Sequence, residues 1–479
     1  VTAAAIPGPA LTHIRLTEPA LTFDPADASQ QHLNPLAGLA AFGPYSAGAW
    51  QAAGQQVRVA ILAPHDAIDP VRGLLNSLRD TAAPQERPDY LPPYPGFRAA
   101  FRTGLIPAAE AARQPLPGDL DSQMAASAEP HLTLARALTA GLGRLAAVRG
   151  LFDVVVFYLP SRWESHFTVG EFDLHDHVKA AAARLGLPTQ IVTDQALGYH
   201  CRASVSWRLA MALYAKAGGT PYKLAAGGML DPSAAYIGLA YGIRDAGRPG
   251  PGFVVCCSQL FDGQGGGLEF VAYDLTGDVD PRNPLLSRAQ MRTVLSRSLG
   301  IYADRHAGRR PGHLIIHKAF PFTEEETRGA AEAWGRGEDL TCVSLTRPAW
   351  RGILVTAAKD PRTGGPRYGY AVDRGTLAQL DGHSALLWVA DNAKAATLTG
   401  RPYLQGGKGT PRPLLLTRHA GRGPLAQPAA QILALSKVDW NTDALYGGLP
   451  ATVSYAQVLA KIVKHENLPP VPYDYRLFM

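Results

Sequence analysis

Two apolar runs, each closed by a proline, most constrain how this chain folds: QVRVAILAP at 56–64 and LFDVVVFYLP at 151–160. Both read as buried strands. Helical patterns follow at 66–84, 130–148, 173–185 and 203–217, with a short strand, TQIV, at 189–192. The segment 84–98, APQERPDYLPPYPGF, carries too much proline for a regular element and reads as a loop. Strands alternating with helices argue for a parallel sheet with helices on its faces. In such sheets ligands bind beyond the carboxyl ends of the strands.

The pattern changes near 226. Strands are predicted in AAYIGLAYGI (234–243), GFVVCCSQL (252–260) and GLEFVAYDL (267–275), joined as a meander by the turns GRPGPG and DGQGGG. A helix fits 286–305, then a strand at 313–320, a helix at 323–336 and a strand at 339–346. GILVTAA, ALLWVAD and RPLLLTR give further short strands, and 451–466 is helical. Three antiparallel strands, a helix and a following strand suit an RNase H-like fold. Residues 1–40 are proline-rich and lack a helical period, so they read as an arm lying on another surface. The expected fold is α/β: an arm at 1–40, a Rossmann-like unit at 41–225 and an RNase H-like unit at 226–479.

A chain of 479 residues has room for two or three cores. Its net charge of +6 and pI near 9.1 suit a polyanionic partner without demanding one. The four cysteines, Cys201, Cys256, Cys257 and Cys342, have neither zinc-site spacing nor a disulfide framework. A reducing cytoplasm is the expected location. No run of about 18 uncharged apolar residues predicts a membrane span, and VTAAAIPGPALTHI is too broken by Pro and Gly for a signal peptide.

Four polar residues stand out between 175 and 219. His175 and Lys179 lie four apart in a helical stretch, so they share a face. Gln190 follows a Gly-Leu-Pro break, and Lys216 closes an apolar helix just before Gly218-Gly219. A ring that can stack, two cations and an amide make a pocket for a terminal phosphate and its first base. The plainer reading is a Rossmann-like helix with solvated lysines, a capping histidine and a Gly-Gly stop.

In order and spacing, these four residues resemble the guide-anchoring MID domain of the Argonaute family. The closing stretch, LALSKVDWN followed by Tyr455-Ala456 in a helix, resembles the end of that family's PIWI domain. The resemblance implies a MID domain at 41–225 and a PIWI domain at 226–479. It also implies that Lys179 and Lys216 neutralise a guide 5′-phosphate, that Gln190 adds amide contacts and that His175 stacks on the first base. The Met479 carboxylate would reach the same site and share a Mg²⁺ with Gln190.

A cutting PIWI domain needs carboxylates that hold two divalent metals. This chain has Ile237-Gly238-Leu239-Ala240 where Ile-Gly-Leu-Asp is expected, and Lys318-Ala319-Phe320 in place of Arg-Asp-Gly. Gln457 stands at the position of a His or Asp. With Ala240, Ala319 and Gln457 there, an inactive nuclease centre is expected, and the Lys318 ammonium should oppose a metal further. Arg208 and the acid-free stretch 401–423, with Lys408, Arg412 and Arg418, could follow a nucleic-acid backbone or form a solvated basic surface.

The resemblance further implies a short prokaryotic Argonaute with MID and PIWI domains only, serving defence against invading DNA. It would bind a 5′-phosphorylated small RNA guide and recognise complementary single-stranded DNA. A partner with an APAZ region would form a heterodimer with it and carry the effector, a TIR or sirtuin-like NADase or a nuclease. Assembly into higher oligomers on activation would fit. The competing readings are an active guided endonuclease, a doubly wound metabolic enzyme that binds a nucleotide, and an interaction protein that binds no nucleic acid. The chain lacks a G-x-G-x-x-G after a strand, which lowers the metabolic reading.

Overall fold

The structure is a computed structural model that describes residues 12–107, 109–227, 229–243, 253–260, 269–274, 285–335, 339–349, 354–359, 366–369, 372–390, 392–401, 412–440, 445–466, 468–469 and 471–479. Two large sheets organise it.

The first is parallel. Val57–Ala63 pairs with Val154–Leu159, which pairs with Thr189–Thr193; Leu105–Pro107 and Arg113–Pro115 line the other side of Val57–Ala63. Neighbouring residues of these strands enter different cores. Val57, Val59 and Ile61 join one, and Ala60 and Leu62 the other. A strand buried on both faces must be apolar at every position, which is how the two proline-ended runs read. The intervening helices include Ile68–Ser77, Pro130–Ala146, Leu174–Arg184 and Arg202–Lys216. The proline-rich loop is irregular but packed: Tyr94 donates to Leu78 O at 2.8 Å, and the Trp207 indole donates to Pro92 O at 3.0 Å.

The second sheet has ten strands. From one edge they run His13–Arg15, Thr376–Gln379, Ser384–Leu387, Leu414–Ala420, Leu340–Thr346, His313–Lys318, Ala234–Ile243, Phe253–Leu260, Glu269–Asp274 and Pro472–Asp474. Ala234–Ile243, Phe253–Leu260 and Glu269–Asp274 form the antiparallel meander. The helix Arg288–Arg305 then returns the chain to His313–Lys318, parallel to Ala234–Ile243. That is the expected RNase H-like order. Ala235, Ile237 and Leu239 pack with Met291, Val294 and Trp334 from the helices on one face. Tyr236 and Ala240 pack with Tyr455, Ala456 and Leu459 of the helix Ala451–His465 on the other.

The arm is more ordered than its sequence suggests. His13–Arg15 is an edge strand of the large sheet, and Leu21–Thr22 and Gln31–His32 form a small sheet with Lys223–Leu224. The helix Pro35–Phe42 begins at Asn34, whose side chain accepts from the N–H groups of Leu36 and Ala37. Strands of two or three residues have no period to read; distant partners specify them. Glu18 fixes the arm through Arg374 at 3.0 Å and Lys437 at 2.9 Å, all three nearly fully buried.

Candidate nucleic-acid interface

The helix Leu174–Arg184 starts where the Asp173 carboxylate accepts the N–H of Asp176. His175 falls on its first turn and Lys179 one turn later. Lys179 is 2% exposed and donates to Thr189 O at 3.0 Å and to the main-chain oxygen of Met479 at 2.5 Å. Next to Thr189, Gln190 donates to Ile191 O at 2.9 Å and accepts from Lys216 at 2.5 Å. Lys216 closes its helix and is also 2% exposed. Lys179, Gln190, Lys216 and Met479 therefore meet at one place. His175 is not drawn in with them. Its side chain is 48% exposed, and its Nδ1 lies 3.0 Å from Asp176 Oδ1.

Burial pushes the Lys179 amine down to about 7 from 10.5. Lys216 is pushed well below its usual value by burial and then by the charge of Lys179, with Asp439 opposing. Two desolvated amines side by side favour an anionic ligand, which would restore their charge. Gly218 sits at φ +106°, and a Cβ there would lie 2.8 Å from an Arg476 guanidinium nitrogen. The tail thus brings Arg476 over the Gly-Gly turn, ion-paired to Asp474. Nothing in the sequence singles out Arg476; only the aromatic tail around it signals a docked segment.

That tail is fixed in place. Pro472–Asp474 pairs with Glu269–Asp274, and Tyr473, Phe478 and Met479 are buried. The Tyr475 ring meets Trp440 edge-on at 5.6 Å.

A cavity of about 340 Å³ opens beside Gln190, walled by Thr193, Tyr199, Ser204, Arg208 and Arg87. Arg208 was expected at such a surface. Arg87 comes from the proline-rich loop at φ +57° and carried no sequence signal. Of the basic stretch, Lys408 lies outside the described residues. Arg412 is exposed. Arg418 is occupied locally: it donates to Gly382 O at 3.1 Å and Gly423 O at 2.5 Å, which ties two turns together.

In the second sheet Ala240 faces the helix Ala451–His465, whose Gln457 is exposed. Ala319 follows the strand His313–Lys318 and packs against the cluster that holds Val343, Leu345 and Val453. Asp245 and Asp262, acids elsewhere in this unit, lie outside the described residues. The expectation for Lys318 needs correcting. Its ammonium points away from this face, into a buried ion pair with Glu326 at 2.6 and 2.7 Å. Successive strand residues face opposite ways, so His317, and not Lys318, shares the Ala319 face. His317 Nδ1 lies 3.0 Å from Thr452 Oγ1, and burial pushes the imidazole down to about 4. Lys318 therefore adds no free positive charge to the cleft.

One group of metal-capable side chains occurs among the described residues. Asp173, His175 and Asp176 bring ligand atoms within 4.8 Å of one another. The Lys461 ammonium already lies on both carboxylates, at 2.9 Å from Asp173 and 3.3 Å from Asp176, so the group reads as an ion-paired helix cap.

No family model matches the chain, and no curated protein matches it significantly. Solved structures do. The Clostridium butyricum Argonaute, bound to a guide DNA with a 5′ deoxycytidine and a 19-mer target DNA, superposes with a TM-score of 0.67 at 18% identity, covering 98% of this chain and 54% of that one. The chain has an Argonaute-like fold. Aa-Ago with externally bound siRNA gives a TM-score of 0.62 at 16% identity over 97% of this chain and 56% of that one. A. aeolicus Argonaute gives 0.52 at 16% identity, covering 88% and 50%. The chain spans about half the length of these Argonaute structures. The likeness includes both sheets, whereas a doubly wound enzyme would account for the first alone. No described helix is long and apolar enough to cross a membrane.

Proposed function

We propose that this chain is the guide-binding subunit of a short Argonaute system. One observation carries the reading: two buried lysines, Lys179 and Lys216, converge with Gln190 and the Met479 oxygen at the start of the strand Thr189–Thr193 of the parallel sheet. Lys179 and Lys216 grip the 5′-phosphate of a small RNA, Gln190 contributes its amide, and His175 stacks on the first base. Base–aromatic stacking contributes about 1–3 kcal/mol. Gln190 Oε1 and the Met479 oxygen are hard donors of the kind Mg²⁺ prefers. These two residues would hold the ion, which would neutralise phosphate charge.

Base pairing then selects a complementary single-stranded DNA, while the protein holds the backbone, with Arg208 and Arg412 as candidate contacts. The cleft at Ala240, Ala319 and Gln457 offers two methyl groups and an amide where metal-binding carboxylates would be needed, so this subunit does not cut. An associated APAZ-containing protein supplies the effector, a NADase or nuclease switched on by target pairing. The setting is prokaryotic immunity in the cytoplasm.

The test compares 5′-phosphorylated and 5′-hydroxyl oligonucleotides of one sequence by fluorescence anisotropy. The phosphorylated strand is expected to bind more tightly, and equal affinity would sink the reading. With a guide, a complementary DNA strand and Mn²⁺, the target is expected to stay intact.

A further inference from the structure

His175 is half exposed, yet its ring is held. Adjacent residues on a helix do not ordinarily face each other, but Nδ1 of His175 lies 3.0 Å from Oδ1 of Asp176. Asp176 is only 1% exposed, and its Oδ2 is buried without a hydrogen bond. Lys461 approaches the same carboxylate at 3.3 and 3.4 Å and also pairs with Asp173 at 2.9 Å. Lys461 comes from the helix Ala451–His465, across from the helix that bears His175. A row of groups therefore runs from one unit to the surface of the other: Lys461, Asp176, then the imidazole.

We propose that Asp176, braced by Lys461, is a positioning residue that holds His175 as the Nδ1–H tautomer, and that His175 thereby reads the sugar of the first guide nucleotide. This rests on the reading of His175 beside the anchored 5′ end. A ring that only stacks accepts any base and either sugar, because every base has a π-face. A neutral imidazole whose Nδ1–H goes to a carboxylate presents Nε2 as an acceptor. With the ring face against the base, that nitrogen lies at the ring's edge, where the ribose follows. The 2′-hydroxyl is a donor that DNA lacks. His175 is then a selector for ribose at position one, and its selectivity depends on a carboxylate that never touches the nucleic acid.

The experiment uses the full chain and three 5′-phosphorylated guides that differ only at the first sugar: ribose, 2′-deoxyribose and 2′-O-methylribose. The wild-type protein is expected to favour ribose by about threefold to tenfold over both others, the worth of one neutral hydrogen bond. His175→Phe keeps the stack and abolishes the preference. Asp176→Ala abolishes it too, while Asp176→Asn, which can still accept from Nδ1–H, retains it. Lys461→Met alters an exposed side chain, guards against a folding failure at Asp176, and is expected to reduce the preference. Imidazole ¹⁵N shifts of His175 should report the Nδ1–H form in the wild type and a mixture in Asp176→Ala. Indifference of the wild type to the first sugar, or full preference in Asp176→Ala, overturns the proposal. The ratio of 5′-phosphate to 5′-hydroxyl affinity is read in parallel. Its absence in the wild type would instead overturn the anchoring site itself.

Discussion

The Lys179 ammonium donates to the main-chain oxygen of Met479 at 2.5 Å, across 300 positions of sequence. The proposed anchor thus combines a helix packed on the first sheet with Met479. Deleting Phe478 and Met479 removes an acceptor from a buried amine. We expect the affinity for a 5′-phosphorylated guide to fall by about tenfold, the worth of one charge-assisted contact, with far less change for a 5′-hydroxyl strand. Anisotropy titrations of both strands check this.

Lys179→Ala with Lys216→Ala removes two charge-assisted donors, each worth about 1.5–3 kcal/mol. Guide affinity should drop at least about 100-fold. The fold should survive, because the substitutions also relieve two buried amines of their desolvation cost. A cooperative melt, together with lost binding, is the expected pair of results.

Gly219 leaves no room for a side chain. A Cβ there would lie 2.3 Å from the Tyr214 ring, which is fully buried and packed against Trp50 and Phe101. Gly219→Ala should cost about 1–3 kcal/mol by overpacking and displace the end of the helix that carries Lys216. Urea unfolding gives the first effect and guide affinity the second.

Lys318 and Glu326 form an ion pair with neither side chain above 1% exposed. Glu326 also accepts from the Tyr241 hydroxyl at 2.7 Å and the Thr323 N–H at 2.9 Å. Lys318→Met leaves a buried carboxylate unpaired and should destabilise by about 3–5 kcal/mol. Replacing both, with Lys318→Met and Glu326→Leu, should restore much of that. Denaturant midpoints of the three proteins decide.

Two buried groups contribute to acid sensitivity. Burial alone would raise the Glu18 carboxyl, but Arg374 and Lys437 outweigh it and hold it at about 2 from 4.5. The unfolded chain takes up this proton first. The stabilisation of about 3 kcal/mol is therefore complete above pH 4.5 and lost as the pH falls towards 2. His317, pushed by burial to about 4 from 6.5, costs stability in the same direction between pH 6.5 and 4, because only the unfolded chain is charged there. Unfolding midpoints from pH 7 to 3 should flatten below 4.5 in Glu18→Gln and between 6.5 and 4 in His317→Asn.

The sequence made the long elements legible. The strand Ala234–Ile243 and the helix Ala451–His465 were readable to within a residue, because burial on fixed faces imposes a period. Lys179, Gln190 and Lys216 stood out through a resemblance in order and spacing, and the residues alone left solvated lysines and a Gly-Gly stop as a plainer reading. What escaped depends on contacts across sequence. Arg476 and Arg87 are one arginine among many until the tail and the loop fold over the site. The facing of Lys318 turns on one residue of strand parity. The arm's short strands exist only against Thr376–Gln379 and Lys223–Leu224.

The ten-stranded sheet is bordered at one edge by His13–Arg15 and at the other by Pro472–Asp474. His13–Arg15 waits for Thr376–Gln379 before it can pair, whereas Pro472–Asp474 finds Glu269–Asp274 already made. During synthesis the parallel sheet, all of whose described strands lie before residue 194, can form early, while the larger sheet keeps raw hydrogen-bonding borders until Pro472–Asp474 has been made. Pairing over such distances is slow and leaves strands prone to aggregation. This protein's yield in a cell should therefore depend on chaperone supply more than on its final stability.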